Sequence, residues 1–175
     1  MFHCSANVPI MDYDPPQLPR TDASLAPAVR FPPPLVFIGF ILLGLLADRL
    51  LSLPSMPISR DITWVGFALV MVGIGLLIIS LGLFRAVGEN PEPWTPSQEI
   101  IARGPYRHSR NPMYLGMLLI HIGYAIWSAS MGILFFALFA FVAIDRFVIA
   151  KEESYLRRRF GKMYEDYERR VRRWV

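Results

Sequence analysis

Residues 62–84 read ITWVGFALVMVGIGLLIISLGLF, 23 positions without a charged side chain. As a helix rising 1.5 Å per residue, this stretch covers the roughly 30 Å hydrocarbon core of a bilayer. Gly66, Gly73, Gly75 and Gly82 within it offer small faces for close helix packing. The rest of the chain fits a membrane protein: 54% of its 175 residues are hydrophobic and its length suits one domain.

Three further apolar runs flank this one, at 35–53, 113–127 and 131–150. Asp48 and Arg49 fall near the far end of the first, where they can reach the interface. Together the runs predict an all-α integral membrane protein, a four-transmembrane-helix bundle. His121 in the third run reads as a packed, hydrogen-bonded bundle residue, although a membrane histidine is also a functional candidate. Residues 1–34 hold eight prolines and predict a disordered leader ahead of a 35–175 domain. The single cysteine, Cys4, lies in that leader, which leaves no intrachain disulfide or cysteine metal site. No metal-ligand spacing, P-loop or dinucleotide fingerprint is present.

Between the second and third runs, residues 85–111 form a long polar connector with a proline-rich middle. Connectors of this length are often lids or binding loops. Trp94 within it reads as an interface anchor or as the cover of a ligand. The connector ends in GPYRHSRNPMYLG, residues 104–116. Gly104-Pro105 and Asn111-Pro112 are turn signals, and Asn111 is expected to cap a helix whose first residue is Pro112. That helix start lies beside Arg107, His108 and Arg110 and suits an anionic group, unless the basic residues only mark a cytoplasmic membrane edge.

A second polar stretch closes the fourth run. On a regular helix Arg146 and Glu153 share one face, and Asp145 and Glu152 the neighbouring one. Beyond it, Leu156, Phe160, Met163, Tyr164, Tyr167, Val171 and Trp174 follow three-four spacing among eight basic residues. This predicts a C-terminal amphipathic helix over 157–175 on an anionic membrane surface, with its apolar stripe also docking partly on the bundle beyond Glu152 and a bend at Gly161. Nucleic acid is a poor partner for such a run beside membrane spans, and no protein partner is inferred. With four spans, the leader, connector and tail share one side and carry fifteen of the eighteen Lys and Arg. The positive-inside rule makes that side cytoplasmic, where both polar stretches meet.

GPYRHSRNPMYLG, followed after a helical hairpin by EESYLRRRFGKMYEDYERRVRRW at 152–174, resembles the isoprenylcysteine carboxyl methyltransferase family. The related phospholipid N-methyltransferases share the same general plan. The resemblance covers about residues 30–175 and implies an integral membrane enzyme using S-adenosylmethionine on the cytosolic side. The family's Arg-His-Pro-x-Tyr-x-Gly pattern falls on Arg110, Asn111, Pro112, Tyr114 and Gly116, and its Glu-Glu pair on Glu152 and Glu153. Asn111 stands where eukaryotic members carry histidine, which implies a bacterial-type member in an inner membrane. The implied cofactor set is Tyr106, His108, Arg110, Asn111, Tyr114, Leu115, Gly116, Glu152 and Glu153.

The resemblance also implies a lipophilic methyl acceptor, a carboxylate of an isoprenylcysteine-like or other lipid. A carboxylate needs a cation to orient it rather than a base, and Arg146 held by Glu153 is the candidate catalytic pair. An amine acceptor would instead need a base, with His108 or a glutamate nearest. A phospholipid amine substrate, or a non-enzymatic membrane scaffold or transporter, are the alternatives.

Overall fold

The computed structural model describes residues 31–88, 92, 95, 97 and 99–175. Most of the proline-rich leader and Trp94 therefore lie outside the described residues. Among the described residues the chain is helical. Helix α1 spans Pro33–Leu51, with prolines in its first turn, where a missing N–H costs nothing. It ends at Ser52 in the left-handed region. Helix α2 spans Arg60–Ala86, and α3 spans Pro112–Trp127, again with proline at its start. Helix α4, Met131–Ala143, runs without a break through a π-helical segment, Ile144–Ile149, into α5, Ala150–Phe160. Helix α6 is Lys162–Arg170.

Among the described residues three helices are long and apolar enough to cross a membrane: Pro33–Leu51, Arg60–Ala86 and the continuous Met131–Phe160. Helix α3 is apolar but only 16 residues long. The outward faces carry Leu42, Leu46, Val65, Val72, Ile79, Phe135 and Leu138, all exposed, as a lipid-facing surface requires.

The helices pair antiparallel. Along α2 and α3, Gly66 lies against Gly123 and Trp127, and Gly73 against Gly116 and Ile120. A Cβ on Gly73 would stand 2.6 Å from the Gly116 carbonyl, so the two backbones touch with no room for a side chain. Gly75 and Gly82, also expected to pack, face open space. Along α1 and α4, Gly44 meets Ile133, Phe40 stacks on Phe136 and Phe37 packs near Ala140 and Ile144. His121 is fully buried between the pairs, with Nε2 3.2 Å from the Ile133 carbonyl and Phe37 edge-on to its ring. This is the packed bundle role read from its position.

These pairings put the start of α1, the end of α2, the start of α3 and the π segment at one end of the bundle. At the other end Asp48 does more than reach the interface. Its carboxylate accepts from the Ser130 hydroxyl and, at 2.8 Å, from the Gly132 N–H, while Ser130 Oγ accepts from Ile133 N. Asp48 thus helps to satisfy the exposed N–H groups that begin α4.

The glycine contacts generate a paired prediction. Gly73→Val should separate α2 from α3 and cost about 1–3 kcal/mol by overpacking, read as a lower melting midpoint in detergent. Gly75→Val, two residues away and facing open space, should leave that midpoint nearly unchanged.

Candidate active site

At the end of the bundle where α2 stops and α3 starts, a cavity opens with about 850 Å³ of empty space including its mouth. Its walls come from five places, the first being Phe84 at the end of α2. The connector supplies Thr95, Ser97, Ile100 and Ile101, the motif supplies Tyr106, Arg110, Asn111 and Tyr114, α5 supplies Glu152, Glu153 and Tyr155, and α6 supplies Tyr164 and Tyr167. The long connector is therefore one wall of the cavity. Tyr155 and Arg159 hold it: the Ser97 N–H donates to Tyr155 Oη at 3.1 Å, and Arg159 Nε donates to the Ser97 carbonyl at 2.5 Å.

The motif reaches the cavity because residues 104–107 form a short 3-10 turn and Pro112 begins α3. Tyr106 packs edge-on against Phe84, and its carbonyl accepts from Tyr167 Oη at 2.7 Å. Burial, reinforced by Glu152 and Tyr167, pushes the Tyr106 phenol far above its usual range. Its hydroxyl faces the buried Ser80 hydroxyl of α2, whereas Arg110 Nε is buried without a hydrogen-bond partner among the described residues. Asn111 sits at the cap position of α3 but does not cap it. Its Nδ2 donates instead to the Arg173 carbonyl at 3.0 Å. That corrects the expected capping role, because the C-terminal segment lies across the loop and takes the amide.

The two glutamates differ in their surroundings. Glu152 accepts from Tyr114 Oη at 2.5 Å. Glu153, 2% exposed, is ringed by three guanidinium groups: Arg110 at 3.1 Å, Arg173 at 2.5 Å and Arg157 at 3.7 Å. Arg110 and Arg157 also pair with Glu168 on α6.

The expected Arg146–Glu153 pair does not form. Arg146 is exposed, lies outside the cavity and pairs with Asp145 at 3.5 Å. The π segment is the reason. An i→i+5 turn takes in an extra residue, so positions beyond it lag the 3.6-residue phase by about one place. The seven-residue spacing of Arg146 and Glu153 then acts as six and parts them. The eight-residue spacing of Asp145 and Glu153 acts as seven, and both reach Arg173. By the same slip Glu152 turns away from Asp145 and toward Tyr114.

The structure thus brings together Tyr106, Arg110, Asn111, Tyr114, Glu152 and Glu153. It leaves three expected members out. His108 is exposed, Leu115 is off the lining, and Gly116 is committed to packing on α2. Sequence reasoning missed the contribution of Tyr155, Tyr164, Tyr167, Glu168 and Arg173. Tyr164 and Tyr167 belong to the apolar stripe of the tail, which is expected to lie on the lipid surface and dock only partly on the bundle. Instead Gly161, at φ 51° and ψ −127°, breaks the tail into α5 and α6. Phe160, Tyr164, Tyr167 and Val171 then bury together beside Ile100 and Leu156.

The phospholipid methyltransferase family matches residues 62–163 of this chain. A Haemophilus influenzae protein, described as an uncharacterized protein, is 39% identical over 67 residues, 36% of this chain and 100% of that one. No solved structure matches.

The α6 contacts predict an acid dependence. Burial alone would raise the Glu168 carboxyl, but hydrogen bonds from Arg157 and Arg110 outweigh it and hold it below the usual value of 4.5. A depressed carboxyl stabilises the docked state fully above that value, and the contribution is lost as pH falls through the lower folded value. Hydrogen exchange of residues 162–170 should stay slow from neutral pH to about pH 5 and quicken at more acid pH. In Glu168→Gln it should be faster at neutral pH and flat across that window.

Proposed function

The chain belongs to the phospholipid methyltransferase family, and from that premise we propose that it is an S-adenosylmethionine-dependent membrane enzyme methylating a lipophilic acceptor. The observation that carries this reading is the cavity that joins the Arg110–Tyr114 motif to Glu152 and Glu153. Its donor set fits the methyl donor. One buried polar atom there, Arg110 Nε, lacks a partner among the described residues, which is costly unless a ligand supplies it.

When bound, S-adenosylmethionine supplies an electrophilic methyl on a sulfonium, and the protein supplies position and electrostatics. Arg110 and the uncapped start of α3 attract its carboxylate. Glu152 accepts from its ammonium or ribose hydroxyls, because its one hydrogen bond among the described residues comes from Tyr114. Glu153 already balances three arginines and acts as the charge that holds Arg110 in place. Five of the seven tyrosines line the cavity and offer aromatic faces to the sulfonium.

The acceptor is the carboxylate of an isoprenylcysteine-like or other lipid, entering from the bilayer and already ionised at neutral pH. A second reading, an amine acceptor, is favoured by the lining itself. Glu92, Glu99, Glu152 and Glu153 line it, and with Glu99 paired to Arg103 and Glu153 to three arginines, Glu152 is the carboxyl that faces an incoming amine. Labelled methyl transfer to a membrane lipid extract separates the two, since alkali releases methanol from a methyl ester and leaves an N-methyl group intact. A purified protein that neither binds S-adenosylmethionine nor labels any lipid would overturn the reading.

Helix α3 lies along α2 from Gly66 to Gly73, which supports a fourth crossing. Four crossings put the site beside fifteen of the eighteen Lys and Arg, hence on the cytoplasmic face of a bacterial inner membrane. The exposed Arg158, Lys162 and Met163 of the tail then meet the headgroups. A cysteine at position 58 should be labelled only from outside the cell, and cytoplasmic labelling would reverse the topology.

Glu152→Gln should weaken S-adenosylmethionine binding about tenfold or more by removing one charge-assisted hydrogen bond, with melting unchanged. Glu153→Gln should instead lower the melting midpoint, since it leaves Arg110 and Arg173 short of a partner. Calorimetric titration beside a melting scan checks both.

A further inference from the structure

The segment after α6 carries contacts that neither the family match nor the motif accounts for. It runs back across the loop that begins α3. The Arg110 N–H donates to the Arg172 carbonyl at 2.9 Å, and the Arg173 carbonyl accepts from Asn111 Nδ2 at 3.0 Å and Ser109 Oγ at 3.4 Å. The Arg173 side chain reaches the other way. Its Nη2 donates to Glu153 Oε2 at 2.5 Å and its Nε to Glu153 Oε1 at 3.1 Å, while Nη1 lies 3.2 Å from Asp145 Oδ2. Trp174 fixes the segment beside it, with Nε1 2.9 Å from Asp145 Oδ1 and its ring 5.0 Å from Phe141.

We propose that Arg173 is a positioning residue for the methyl donor. It locks Glu153 and the 109–111 loop in register, so that Arg110 and the start of α3 face the cavity. The proposal rests on the methyltransferase reading. Its physical basis is the planar guanidinium, which meets one carboxylate with two parallel donors and still has a nitrogen for a second carboxylate. No lysine reproduces that fork. Without Arg173, Glu153 keeps only Arg110 and Arg157, and it competes with the donor's carboxylate for Arg110. The cost falls on donor binding rather than on the transfer step.

Arg173→Ala and Arg173→Lys test this in the full-length protein, purified in detergent. The expected result is a rise in KM for S-adenosylmethionine of about tenfold for Arg173→Ala, with kcat at saturation within about threefold of wild type. Arg173→Lys should recover part of the KM, and Asp145→Asn should show a smaller rise. Hydrogen exchange over residues 109–114, measured without the donor, should quicken in Arg173→Ala and much less in Arg173→Lys. An unchanged KM, or a loss of kcat in step with the melting midpoint that lysine does not relieve, would overturn the proposal. If wild-type protein has no affinity for S-adenosylmethionine, the methyltransferase reading fails. The exchange of residues 109–114 then decides by itself whether Arg173 holds the loop, and unchanged exchange refutes it.

Discussion

A carboxylate that is 2% exposed at the end of a membrane bundle has to be neutralised where it stands, and Glu153 is in that position. Removing such a charge from water costs several kcal/mol, recovered only with close partners of good geometry. Arg110, Arg157 and Arg173 provide them from three parts of the chain: the start of α3, the next turn of α5 and the C-terminal segment. Glu168 closes the network by sharing Arg110 and Arg157. One buried charge therefore determines where α6 docks, how the tail returns and which way Arg110 points. The cavity exists because these elements are held around it.

The bundle supplies the rigid base for that arrangement. Glycine contacts let α2 and α3 approach until their backbones meet, and α1 closes on α4 in the same antiparallel sense. Because α2 ends beside the motif, Phe84 can brace Tyr106 from below. The π segment then sets the rotation of α5. The extra residue in its turn separates Glu152, which faces Tyr114, from Glu153, which faces the arginines. Adjacent carboxylates thereby take different partners, one the Tyr114 phenol and the other the arginines of the network.

The lining combines acidic groups with tyrosine faces, a mixture suited to a cationic ligand at the edge of an apolar medium. The connector and α6 wall it on the polar side, and Phe84 at the end of α2 and Met113 at the start of α3 join it to the apolar helices. A methyl donor that is charged and water-soluble and an acceptor that is lipophilic would reach such a cavity from opposite directions. That geometry gives a physical reason for building a methyltransferase into a membrane.

Much of this was legible in the amino-acid sequence. Long apolar runs set the spans, a proline marked where α3 begins, and the motif and glutamate pair named Tyr106, Arg110, Asn111, Tyr114, Glu152 and Glu153 of the cavity lining. These features are local: they depend on hydropathy, on a missing N–H and on residue type. Gly161 was likewise legible as a bend. The π segment was not, because residues 144–149, IDRFVI, hold no proline or glycine that would mark a break in a regular helix. Its one-residue phase slip removed the pairing of Arg146 with Glu153 that regular periodicity implied. Nor could spacing say how much of the apolar stripe of the tail would find protein rather than lipid. The sequence by itself determined a helical membrane chain with one polar end. Only the tertiary structure decided which arginine meets which carboxylate, because a buried charge takes whatever partner the packed chain brings within about 3 Å.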